Sequence, residues 1–180
     1  MTDWAACVAR DCSSSITGIR VSAKRAKLGL AQVREGDADL IGALLEAMHA
    51  GKADFTLTFR RLGSAVAAGA GSEPGGGPRN LFADPAAFDH WAEGWQRRLS
   101  EEDTPAAQRI AAMQACNPAR IPRNHRVEQA IRAAVDDGDI TPARQLLNAL
   151  AQPFDDAPSL AAYDSPARDD ERVTRTFCGT

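Results

Sequence analysis

The residues best suited to chemistry are a cysteine near the end of the chain and a basic cluster between Arg120 and Arg126. Cys178 stands two residues from the last position, where a thiolate is accessible and can reach a partner sulfur. It is the one candidate redox residue; the plainer reading is an inert tail thiol. Cys7 and Cys12 suggest half of a metal set, but no second ligand pair follows at short spacing. His49, His90 and His125 fall on separate helices or turns, so no metal site is expected. Cys116 reads as a small buried hydrophobe rather than a nucleophile. Arg120, Arg123, His125 and Arg126 lie beside a helix start, a place suited to phosphate. The alternative is a solvated face, or pairing with Asp136, Asp137 and Asp139. Trp91 and Trp95 could stack a base, but their helical spacing with Phe88 and Leu99 points to a core.

No complete catalytic constellation accompanies these residues. There is no GxxxxGK[ST] loop, no kinase-like Gly-rich loop, and no HRD or DFG stretch. Gly75–Gly77 has no strand before it. Catalytic and cofactor-binding residues are therefore expected to be absent from this chain. With 44% hydrophobic and 25% charged residues, the composition is that of an ordinary globular protein. A net charge of −3 gives no reason to expect nucleic acid or an acidic membrane as partner. No apolar run is long enough to cross a bilayer, and the first residues hold no apolar signal region. Four scattered cysteines are not a secreted disulfide framework, so a reducing cytoplasm is the expected compartment.

The elements that must position these residues read as helices. Ile41, Leu44, Leu45 and Met48 stripe a helix over 37–51. Residues 54–68 are ambiguous: Phe55, Leu57 and Phe59 alternate like a strand, while Phe55, Phe59, Leu62 and Val66 fit a helical face. Asp54 as N-cap decides for helix. Residues 70–78 read as a flexible loop. Asp84 caps the next helix, with Pro85 in its first position and Phe88, Trp91, Trp95 and Leu99 on one face. Another begins near Pro105 and stops at Asn117–Pro118. Asn117 can bond its own backbone there. Val127, Ala130, Ile131 and Ala134 mark the following helix, and Gly138 is a left-handed C-cap. Thr141–Pro142 opens the last one, striped by Ala143, Leu146, Leu147 and Leu150. All four apolar faces (Phe55/Phe59, Trp91/Trp95, Val127/Ile131 and Leu146/Leu150) are expected to share one core. Short loops predict antiparallel neighbours in a bundle-like array.

Three segments carry a family resemblance. Residues 117–156, with NPxxIxRNxxxxxAI and then ARQLLNALAQPFDD, resemble the C-terminal region of the selenoprotein O (SelO/YdiU) family. Residues 26–30 (AKLGL) and 54–62 (DFTLTFRRL) are similar to its pattern upstream, and 177–180 (FCGT) look like one of its endings. The resemblance covers about residues 24–180. It implies an all-α fold, a helical bundle-like C-terminal region of a protein-kinase-like fold with an extended C-terminal tail. It implies, for the full-length relative, transfer of AMP from ATP to protein hydroxyls with magnesium or manganese. None of the family's nucleotide- or metal-binding residues maps onto this chain, so the cofactors belong to the rest of such a protein. Cys178 matches the family's C-terminal redox position. The expected organisation is an unmatched, disordered leader over 1–23, a helical domain over 24–153 with a flexible loop at 69–80, and an extended tail over 154–180. Expected partners are the missing kinase-like half or protein substrates. A stand-alone interaction module and a non-functional gene fragment are the alternatives.

Overall fold

The structure is a computed structural model that describes residues 15–68 and 77–173, with side chains over 21–66 and 77–173. Among the described residues every regular element is helical: α1 (Ser15–Lys27), α2 (Asp37–Ala50), α3 (Phe55–Ala68), α4 (Pro85–Ser100), α5 (Ala106–Cys116), α6 (Asn124–Asp136) and α7 (Thr141–Leu150), with short 3-10 helices at Pro78–Leu81, Pro158–Tyr163 and Asp169–Glu171. The chain divides into two compact units, Met1–Asn117 and Pro118–Thr180.

In the first unit α1 packs on α2 and α5, α2 on α4, and α3 on α5. The core is built from Leu28, Leu30, Leu44, Phe59, Leu62, Phe88, Trp91, Trp95 and Met113. The ambiguous segment is a helix because Asp54 Oδ1 accepts from Leu57 N at 2.8 Å, satisfying a first-turn donor. Asp84 caps α4 in the same way through Ala86 N at 3.0 Å. The tryptophans are core, as their spacing predicts. Their rings stack with centroids 5.5 Å apart, and each indole donates to a main-chain carbonyl, Trp91 to Leu40 and Trp95 to Leu28.

Several expectations change. The expected leader runs to Ala23, but α1 begins at Ser15. Its last turn carries Lys24, Arg25 and Lys27, charges that suit the negative end of a helix dipole. Residues 69–76 of the expected loop lie outside the described residues. Its far end is built into the fold: Pro78 is buried, and Arg79 grips Asp89 through Nε at 2.8 Å and Nη2 at 3.0 Å. Phe55 stays half-exposed, although its ring lies 4.8 Å from that of Phe59. Asn117 bonds Lys27 rather than its own backbone, donating from Nδ2 to Lys27 O and accepting from Lys27 Nζ. The four apolar faces do not share one core, since every residue of the main cluster lies in the first unit. The last helix begins at Thr141, as expected, with Ile140 as an N-cap that gives no side-chain bond, and Asp139 Oδ1 accepts from Thr141 N at 2.8 Å. Gly138 takes φ +67°, the left-handed conformation expected of it. The tail is not simply extended, for Pro158–Tyr163 packs as a 3-10 helix against α7.

The first unit is held by an unusual buried turn. Gly29 adopts φ +75°, and a Cβ there would stand 2.7 Å from Met113 Sδ. Leu28 and Leu30 beside it are buried. Backbone groups carried inside need partners, and side chains supply them. Trp95 Nε1 donates to Leu28 O, Arg109 Nη1 to Gly29 O, and Arg98 Nη2 to Gln32 O. Glu102 accepts from Ala31 N at 3.0 Å and Gln32 N at 3.1 Å. Arg98 also pairs with Glu102 and Asp37, and Arg109 with Glu102.

Two outcomes follow from this packing. Phe59, 2% exposed, loses its buried ring in Phe59→Ala, which should cost roughly 3–5 kcal/mol in a denaturant melt; an unchanged midpoint would refute the packing. Burial works against charge on Glu102, but the hydrogen bonds from Ala31, Gln32 and Arg98 outweigh it and hold its carboxyl below the usual range. Its stabilisation is then complete above the unfolded-state value, about 4.3, and is lost as pH falls through the lower folded value. Glu102→Gln should cost roughly 3–5 kcal/mol at pH 7, because Arg98 and Arg109 lose a buried counter-charge. It should also flatten the acid limb of the stability profile, and an unaltered profile would count against the network.

Candidate functional site

The second unit holds the basic stretch singled out in the sequence, and the structure divides it. Arg120 is fully buried as a structural clamp. Its Nε donates to Asp164 Oδ1 at 2.8 Å and its Nη1 to Gln152 O at 2.8 Å. The main chain beside it is anchored as well, with Ala119 N donating to Pro153 O at 2.7 Å. Arg126 donates to Gln129 Oε1 and Ala162 O. Arg126 thus bonds an amide oxygen and a main-chain carbonyl. Arg120 is paired with a carboxylate, but with Asp164 in place of the expected Asp136, Asp137 or Asp139. The reason lies in the tail: the chain after Pro153 returns to the start of this unit and brings Asp164 with it.

Arg123 and His125 have a different setting. Pro122 precedes the helix, and Arg123 is its N-cap without giving a side-chain cap bond. Arg123 O accepts from Arg126 N at 2.9 Å and Val127 N at 3.1 Å, which leaves the N–H groups of Asn124 and His125 outside the helical ladder. A cavity of about 430 Å³ opens at this end, lined by Ile121, Pro122, Arg123, Asn124, His125, Ala167, Arg172 and Val173. His125 is 4% exposed, and its Nε2 has no hydrogen-bond partner. Burial lowers its affinity for a proton, and the charges of Arg126, Arg123 and Arg168 add to this against the opposing pull of Glu171. These surroundings favour the neutral ring over the charged one.

The remaining sequence candidates do not join this site. His49 and His90 lie exposed on α2 and α4. Among the described residues no three of His, Cys, Asp and Glu gather in a way that could hold a metal, and no helix is long and apolar enough to cross a membrane. Cys116 is half-buried, its thiol pushed up by burial despite Lys27 nearby, and it bonds Met113 O at 3.4 Å. Cys7, Cys12 and the redox candidate Cys178 fall outside the described residues. Sequence reasoning missed Ala167, Arg168, Glu171 and Arg172, because the tail has no period. The one available signal was Arg168 and Arg172 flanking an acidic run.

The segments that carry the family resemblance also take structural places. Residues 26–30 run from the last turn of α1 into the buried turn, Asp54 caps α3, and Arg60 Nη1 donates to Gln114 O and Asn117 O. The family model described as protein adenylyltransferase SelO matches residues 20–151. The chain belongs to the SelO family. Similar relatives are proteins called protein nucleotidyltransferase YdiU. One from Methylorubrum extorquens is 53% identical over 158 residues, covering 86% of this chain and 32% of the relative. One from a Bradyrhizobium species is 49% identical over 168 residues, covering 93% and 33%. One from Rhizobium meliloti is 50% identical over 157 residues, covering 87% and 31%. The chain thus spans about a third of the length of these SelO-family relatives.

His125 offers a direct check on the site. In an NMR titration of the histidine ring protons, its midpoint should fall below the ordinary value of about 6.5. Because the folded-state value is depressed, its stabilising contribution is complete above the unfolded value and is lost as pH falls towards the folded one. A midpoint at or above the ordinary value would contradict the buried, cation-flanked setting.

Proposed function

We propose that these residues form the helical C-terminal part of a SelO-type protein adenylyltransferase with a protein-kinase-like catalytic half. In this reaction a protein hydroxyl of Ser, Thr or Tyr attacks the α-phosphorus of ATP. AMP is joined to the oxygen, the bond to the β-phosphate breaks and pyrophosphate leaves. Magnesium or manganese would supply positive charge to the phosphates, and the groups that would hold nucleotide and metal belong to the other two-thirds of such a protein. The observation that carries this reading is the family match over residues 20–151.

The packing of the second unit supports it. Among the described residues there, Leu146 is the one large apolar side chain that is buried. Ile131 is 52% exposed, Leu147 68% and Val135 76%. Apolar side chains left open in this way suit a surface that docks on another protein part. The partner in this reading is the kinase-like half, and the unit serves to bind it rather than to perform the chemistry.

The test is incorporation of label from α-labelled ATP into a general protein substrate, with magnesium or manganese. The 180-residue chain alone should transfer none above a protein-free control. A full-length SelO-family relative should transfer AMP, and Val135→Asp with Leu147→Asp at the matching positions should lower that activity. Transfer by the isolated chain, abolished by a single substitution within it, would show a catalytic site here and overturn the proposal.

A further inference from the structure

We propose that residues 167–173 form a pH-sensitive strap over the N-terminal end of α6, docked while the His125 ring is neutral and lifted when the ring takes up a proton. The proposal stands apart from the AMP-transfer reading, since it concerns only contacts within the second unit.

The geometry has three parts. First, His125 shares a cavity wall with Ala167, Arg172 and Val173 of the strap. The cavity they line, about 430 Å³, keeps strap and helix from packing face to face there, so little dispersion contact is lost when they part. Second, the tie between them is slight. Gln129 Nε2 donates to Glu171 Oε1 at 3.3 Å. That bond is long beside the 2.8 Å bonds by which Arg120 and Arg126 hold Asp164 and Ala162, just before the strap. The Glu171 side chain is 17% exposed against 72% for Arg168, so the carboxylate is the group turned towards the unit. Third, the His125 ring is buried and its Nε2 has no hydrogen-bond partner. An imidazolium donates from both nitrogens, and a buried donor left unmet is costly.

The charges set the direction. Arg126 and Arg123 on α6 and Arg168 beside the strap's 3-10 helix oppose a proton on His125, while Glu171 favours it. Glu171 is already engaged, accepting from Arg168 N and pairing with Arg168 Nη2 at 3.3 Å. Arg172 in the cavity wall pairs with Asp169. The helix α7, which packs on α6, carries one charged residue, the exposed Arg144. A protonated ring therefore meets three cations and one engaged carboxylate. Lifting the strap removes Arg168 and Glu171 together and admits water, which supplies the missing bond and screens Arg123 and Arg126. The strap is docked above the ordinary histidine value of about 6.5 and loosens as pH falls through the lower folded value. By linkage, each unit that docking takes from the ring's midpoint weakens docking about tenfold once the ring is protonated.

The experiment uses the 180-residue chain, followed by NMR from about pH 8 to about pH 5, the span in which histidine changes charge. Backbone heteronuclear NOE values report order residue by residue. Those of Ala167, Glu171 and Val173 should fall with the midpoint of the His125 ring protons, while those of Leu44 and Ala130 stay level. Gln129→Ala, at an exposed position, loosens the strap and should raise the His125 midpoint, because docking and protonation oppose each other. His125→Phe keeps a ring that cannot titrate and should hold strap order constant with pH. Strap values that stay level through the His125 titration, that rise as Glu171 takes the imidazolium, or that fall equally in His125→Phe would each overturn the proposal. So would an unmoved His125 midpoint in Gln129→Ala. Loss of order at Ala130 with the same midpoint would overturn it too, by making the change an unfolding of the unit.

Discussion

The first unit depends on satisfying a backbone turn that has been carried into a hydrophobic core. Residues 28–32 place Leu28 and Leu30 among the aromatic rings, and that placement drags peptide groups out of water. An unbonded peptide group in such a place would cancel much of what the leucines contribute. The N–H groups of Leu28, Gly29 and Leu30 bond back to carbonyls in the last turn of α1. The carbonyls of Leu28, Gly29 and Gln32 and the N–H groups of Ala31 and Gln32 are met by side chains from α4 or its end, or from α5: Trp95, Arg109, Arg98 and Glu102. The ions bring their own desolvation cost, so they are paired with one another and with Asp37. The close approach of Arg109 and Met113 leaves no room for a side chain at Gly29, and the positive φ makes glycine the fitting residue as well.

The ends of α1 and α5 meet near this turn. Lys27 reaches Cys116 O and Asn117 Oδ1, its charge disfavoured by burial and resting over the Phe59 ring. Arg60 closes the same junction from α3 by bonding the carbonyls of Gln114 and Asn117. The stretches that carry the SelO resemblance in the first unit therefore cap and lock helix ends where polar backbone is exposed to an apolar interior.

The second unit solves the same problem with fewer apolar groups. Arg120 takes the place a large hydrophobe would hold, buried and bonded to Asp164 and Gln152. Small residues, Ala119, Ala130 and Ala149, fill the remaining interior. Ile131, Val135 and Leu147 are left on the surface, which is the physical basis for reading this unit as one that docks. The open end of α6 is a second consequence, because the clamp on Arg120 fixes the chain before the helix while its first donors stay uncapped.

Much of the architecture was legible in the residues. Caps at Asp54 and Asp84, the 3.6-residue stripes of α2 to α5, and the left-handed Gly138 are local effects, decided by side chains within a few positions of one another. The family was legible too, because its segments are short, ordered patterns. Tertiary structure decided which stripes are covered. Val127, Ile131 and Leu147 have the same spacing as core residues elsewhere, yet periodicity says which side chains share a face and not what that face meets. It also decided the partners of the arginines. Arg120 and Asp164 are 44 residues apart, and a pairing over that distance depends on how the tail returns across the unit. No local pattern encodes that path, so the clamp and the cavity beside it emerge only in the folded chain.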